Sequence, residues 1–130
     1  MPRSLVLHHM RPGTDKLLAK AERASRTADA ALAAGAPDVA AGRAFYALLY
    51  AAKALLNERG LYLRTHARIV AALQRAAPPE APLLAEWLAS AIARRRGADE
   101  GELTHEDAAQ LVERARQAVC AVGGRGLHGS

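Results

Sequence analysis

From Ala44 to Ala52 the chain runs nine residues without a charged side chain, Ala-Phe-Tyr-Ala-Leu-Leu-Tyr-Ala-Ala, and this run constrains everything around it. Wound as a helix it is apolar almost all round, and such a helix needs cover on more than one side. The segment that holds it, from about Asp38 to Arg59 with Gly60 placed to cap its C-terminus, therefore reads as the central helix of a bundle. Composition agrees. Alanine fills 32 of the 130 positions, whereas Val, Ile and Thr together fill 12 and aromatic residues five. Alanine is the best helix former, and β-branched and aromatic side chains are what a pleated sheet uses, so a sheet fold is nearly excluded.

Four further helices follow from spacing and punctuation. The first opens at Thr14 or Asp15, both good N-caps, and repeats Leu17, Ala21, Ala24, Ala28 and Ala31 along one stripe until Gly35 and Pro37 stop it. The third runs from Thr65 to about Ala76, ahead of Pro78-Pro79. The fourth starts near Glu80, carries Leu84, Trp87, Leu88, Ala91 and Ile92 on one face, and ends at Arg94-Arg95-Arg96. The fifth follows Thr104 and Asp107, spaced as a capping box with Asp in place of Glu, and shows apolar residues at helical spacing from Ala108 to Val122. Residues 1–13, with two prolines, a glycine and no helical period, read as a flexible leader, and the glycine-rich stretch 123–130 as a flexible tail. The expected fold is all-α: an antiparallel bundle of four to five helices over residues 14–122, with enough leftover apolar surface to favour a homodimer.

Several functional classes fall away. The nine-residue uncharged run is short of the roughly 18 residues that span a bilayer, and the N-terminal apolar stretch is too short for a signal peptide. A cytoplasmic protein with no membrane association is expected. Cys120 is the only cysteine and the five histidines are scattered, so neither a disulfide nor a zinc site is expected. There is no phosphate loop, no Ser-His-Asp set and no carboxylate pair, and no cofactor is implied. A net charge of +5 and a pI near 10 are compatible with a nucleic-acid ligand without establishing one.

Polar tips interrupt the central helix in a regular way. Arg43, Tyr46, Tyr50 and Lys53 are spaced by three, four and three, which stacks them along one face. Two cations and two phenols in line suit a phosphate or a base; the alternative is a set of snorkelling or ion-paired residues at an interface. Arg94, Arg95 and Arg96 sit where the helix dipole favours cations, and their guanidinium forks would equally hold phosphates. His66 and His105 each open a helix. Either could act as a general base in RNA cleavage, and either suits a packing role.

The stretch from Gly42 to Leu56, then Gly60-Leu61, then Thr65-His66, resembles the HEPN family in its small prokaryotic single-domain branch. There the pattern reads roughly small-Arg-Ala-Tyr-Tyr-Ala, Ala-Lys/Arg-Ala-Leu-Leu, Gly-Leu and Ser/Thr-His. The likeness extends over about residues 15–122. It implies a dimerising four- or five-helix bundle that often works beside a minimal nucleotidyltransferase as a toxin–antitoxin pair. Catalytic members are metal-independent ribonucleases that use an Arg, four to six residues, then His. Counted from Arg95, that His would fall at Glu100, Gly101 or Glu102, so this chain departs from the active pattern.

The expectation is thus a HEPN-like protein without catalysis of its own. It would bind RNA, a nucleotide or a nucleotidyltransferase partner through Arg43, Tyr46, Tyr50, Lys53, His66, Arg94, Arg95 and Arg96. Two alternatives stand beside it: a metal-independent ribonuclease toxin using Arg95 and His105, and a helical interaction module with no nucleic-acid ligand.

Overall fold

The computed structural model describes residues 11–76, 80–96 and 103–128, with Arg96 and residues 125–128 described by backbone alone. Five helices occupy them: α1 Thr14–Ala33, α2 Pro37–Asn57, α3 His66–Gln74, α4 Glu80–Arg96 and α5 His105–His128. No strand is present among the described residues. The chain is an all-α bundle, and α2 is its axis, in contact with each of the other four helices.

The reason is the uncharged run. Twelve of the 21 residues of α2 are buried, among them Ala44, Phe45, Leu48, Ala51, Ala52 and Leu56, and they face outward from the helix in every direction but one. α2 is also the one described helix long and apolar enough to cross a bilayer, and 61% of that window is buried inside the bundle, as in a core helix. Its longest seam is with α1, where alanines fully excluded from solvent (Ala21, Ala28, Ala40, Ala44, Ala47, Ala51) let the two backbones come close.

Each junction has a local cause. The α1–α2 turn and the end of α2 are both Schellman motifs. Gly35 (φ 78°) and Gly60 (φ 77°) take the left-handed conformation. The amides of Ala36 and Leu61 each reach back five residues, to the carbonyls of Ala31 and Leu56. Thr65 caps α3, its hydroxyl accepting from the Arg68 amide at 3.3 Å. At α5 the capping box is complete: Thr104 Oγ1 accepts from the Asp107 amide at 3.0 Å, and Asp107 Oδ2 accepts from the Thr104 amide at 3.3 Å.

Four expectations need correction. Thr14 does not cap α1; Gly13 holds the N-cap position, and the Thr14 side chain is buried in tertiary hydrogen bonds. Its hydroxyl donates to Glu58 Oε2 (2.5 Å) and accepts from Asn57 Nδ2 (2.8 Å). The same cluster holds residues 11–13 of the stretch read as a leader. The Arg11 amide donates to Glu58 Oε2, and Asn57 Nδ2 donates to the Pro12 carbonyl. Residues 1–10 lie outside the described part.

Nor does the last helix end at Val122, where a glycine tail was expected. It continues to His128, with Val119 and Val122 in the core and Gly123 buried beside them. Packing there overrides the roughly 1 kcal/mol per glycine that helix propensity charges. Finally, α3 is shorter than expected, ending at Gln74.

Candidate functional site

The seam between α1 and α2 opens to solvent as a groove of about 490 Å³ lined by Lys20, Arg23, Thr27, Arg43, Tyr46 and Tyr50. The helical spacing of the last three puts them on one stripe of α2, as expected. The tyrosine rings stack at 6.1 Å between centroids and 30° between planes, and the Lys20 ammonium sits 5.6 Å above the Tyr50 ring. Tyr46 is 37% exposed, so its ring is open to a ligand. The groove therefore presents three cations and two aromatic faces, and no carboxylate lines it among the described residues. Phosphate is attracted by such a set, and a flat aromatic or base can stack on it.

Phe45 ties this groove to the start of α3 and the end of α4. It is buried, with the Tyr46 ring edge-on at 5.2 Å and the His66 ring edge-on at 5.6 Å. The Arg95 guanidinium lies 4.4 Å from the Phe45 ring centroid and 5.6 Å from that of Tyr46. Arg95, His66 and Tyr46, from α4, α3 and α2, thus meet around one phenyl ring.

The basic run does not act as a unit. Arg94, next in the chain to Arg95, turns to α5 and donates to Asp107 Oδ2 at 2.7 Å. The Thr104 amide and hydroxyl, with the Arg94 charge behind them, hold the Asp107 carboxyl below the usual Asp range. Arg94 is therefore committed to anchoring α4 on the first turn of α5. The Arg96 side chain lies outside the described part. His105, the first residue of α5, is exposed, and the described residues hold no hydrogen bond or ring contact between it and Arg95.

Lys53, one turn beyond Tyr50 on the same stripe, stands in a different cavity. It lines a second, smaller cavity of about 200 Å³ with Tyr62, Arg64 and the apolar side chains of Leu56, Leu61 and Ile69. Four charged or aromatic residues that sequence reasoning did not select stand in these two cavities: Lys20, Arg23, Tyr62 and Arg64. A signal for the first two was present. They flank the Leu17, Ala21 and Ala24 stripe that packs on α2, which places them at the rim of that seam. Among the described residues no three His, Cys, Asp or Glu side chains gather as metal ligands, and Cys120 is an exposed free thiol.

A HEPN domain family model matches residues 14–125 of the chain. No curated protein and no solved structure matches it.

Proposed function

The chain belongs to the HEPN domain family, and we propose that it binds RNA or a nucleotide through the α1–α2 groove without cleaving RNA itself. The observation that carries this reading is the groove's make-up: Lys20, Arg23 and Arg43 around the stacked Tyr46–Tyr50 pair, with no carboxylate lining it among the described residues. Cations attract phosphate and fix a strand's position, while ring faces accept bases. The absence of cleavage rests on the positions where the family's ribonucleases place their His. Here these are Glu100, Gly101 and Glu102, and a carboxylate repels phosphate and titrates well below an imidazole. In keeping with the family, the protein would work as a homodimer paired with a minimal nucleotidyltransferase in a toxin–antitoxin system.

One observation favours a ribonuclease reading. The Arg94–Asp107 ion pair holds the end of α4, which carries Arg95, against the first turn of α5, which carries His105. The experiment that separates the two is RNA cleavage by the purified protein in EDTA, with Arg95→Ala and His105→Ala prepared identically. No cleavage by any of the three, together with salt-sensitive RNA binding, is the expected result. Cleavage that both variants lose would overturn the binding reading in favour of a metal-independent nuclease.

A further inference from the structure

The two cavities on the α1–α2 seam follow one another along the same helix faces. Thr27 and Arg43 line one end of the larger groove, and Lys20 and Tyr50 its other end. Leu17 and Lys53, one turn farther on each helix, line the smaller cavity. Leu17, Lys20, Ala24 and Thr27 on α1 run antiparallel to Lys53, Tyr50, Tyr46 and Arg43 on α2, so the cavities lie end to end. Beyond Lys53 come Tyr62, 69% exposed, and Arg64, from the connection between α2 and α3. No Asp or Glu lines either cavity among the described residues.

We propose that this seam is a track for single-stranded RNA of about four nucleotides, with the backbone following Arg23, Arg43, Lys20, Lys53 and Arg64. The bases would lie on Tyr46 and Tyr50, and a terminal base in the small cavity edged by Tyr62. The inference rests on the RNA-binding reading above and specifies the form of RNA. Three observations support it. From Arg43 to Lys53 the α2 axis rises about 15 Å, the length of about four nucleotides stacked at roughly 3.4 Å each. Exposed ring faces reward bases that are free to unstack, and a duplex keeps its bases inside. The small cavity is apolar within and basic at its rim, which suits a base followed by its phosphate.

Lys20 over Tyr50 and Arg95 over Tyr46 occupy ring faces that a base would take. A cation on an exposed ring is weakly held, and the same cation gains more from an arriving phosphate. Binding would then exchange the Lys20–Tyr50 contact for a base–ring contact and a cation–phosphate contact, while Arg95 keeps its closer seat on Phe45.

Fluorescence anisotropy with labelled RNA tests the track. The ligands are single strands of two, four and eight nucleotides and a blunt eight-base-pair duplex, titrated at several salt concentrations. Expected is binding that tightens from two to four nucleotides, gains little beyond, and is at least tenfold tighter for the single-stranded octamer than for the duplex. Tyr62→Ala, on an exposed ring outside the core, should weaken octamer binding by about 5- to 100-fold, the effect of losing one base–aromatic stack. Lys53→Ala should lower the salt slope by about 0.7, one phosphate's share on a single strand. Equal affinity for duplex, or full octamer affinity in both Tyr62→Ala and Lys53→Ala, overturns the track and leaves the groove reading standing. No binding of RNA in any form overturns both and gives the face to a protein contact instead.

Discussion

The Arg95 guanidinium lies 4.4 Å from the centroid of the Phe45 ring, joining the last turn of α4 to the middle of the buried central helix. Arg94 points the other way, onto Asp107 of α5. Two adjacent arginines therefore hold α4 to two different helices, and only the one on Phe45 touches the aromatic groove. The dipole argument for cations at a helix C-terminus covers both residues and distinguishes neither.

Replacement of Arg95 separates its packing from its charge. Arg95→Ala should cost about 0.5–1 kcal/mol of stability, the worth of a cation over an aromatic ring near the surface, read from urea unfolding. Arg95→Lys keeps the charge but loses the flat guanidinium that lies against Phe45, so it should recover less than half of that loss. A lysine variant as stable as the wild type would show that charge alone accounts for the contact.

The Thr14, Asn57 and Glu58 cluster makes a second prediction. Thr14 and Asn57 are 1% and 4% exposed and hydrogen-bonded to each other, so deletion of one leaves the other's polar group buried without it. Thr14→Val and Asn57→Ala should each cost about 1–3 kcal/mol. The double variant should lose clearly less than the sum, because both deletions break the same hydrogen bond. Strict additivity in urea unfolding would mean that the two side chains are not coupled.

The elements that were legible in the sequence are those whose signals are local. An all-round apolar run announces a central helix whatever surrounds it, and Thr65 and the Thr104/Asp107 box cap the helices that follow them by contacts within three residues. Thr14 misled for the same reason. A threonine ahead of an apolar stripe looks like a cap, and only the approach of the far end of α2, 43 residues on, gives it a different partner. Gly123 and Gly124 read as a tail because propensity is local while the packing that keeps them helical is not. At the site, Arg43, Tyr46 and Tyr50 were found by spacing on one helix. Lys20 and Arg23 join them only through the register between two helices, and Arg95 reaches Phe45 only once α4 is docked.

The alanine-lined seam sets a third test. Ala47 is fully excluded from solvent on α2, and a leucine there would force side chains off their rotamers or push helices apart. Ala47→Leu should destabilise the fold by about 1–3 kcal/mol, whereas Ala30→Leu, on the exposed face of α1, should stay within about 0.5 kcal/mol of the wild type. Urea midpoints measured side by side decide it. A neutral Ala47→Leu would show that the core has room that the backbone separation denies.

Two surface carboxylates on α5 should titrate low, and for different reasons. The Arg116 guanidinium, with help from the Gln117 amide, lowers Glu113 from its usual 4.5 to about 2. Asp107 is lowered chiefly by the Thr104 amide and hydroxyl, and less by Arg94. In both cases the folded value lies below the unfolded one. Each group's stabilising contribution is therefore fully present above the unfolded pKa and is lost as pH falls through the folded value. For Glu113 that window runs from about 4.5 down to about 2. Carboxyl-carbon NMR titration should show Glu113 returning towards 4.5 in Arg116→Ala. Asp107 should stay below the ordinary Asp range in Arg94→Ala, because its Thr104 contacts remain. If Asp107 rose fully to that range on loss of Arg94, the ion pair and not the capping box would be holding its charge.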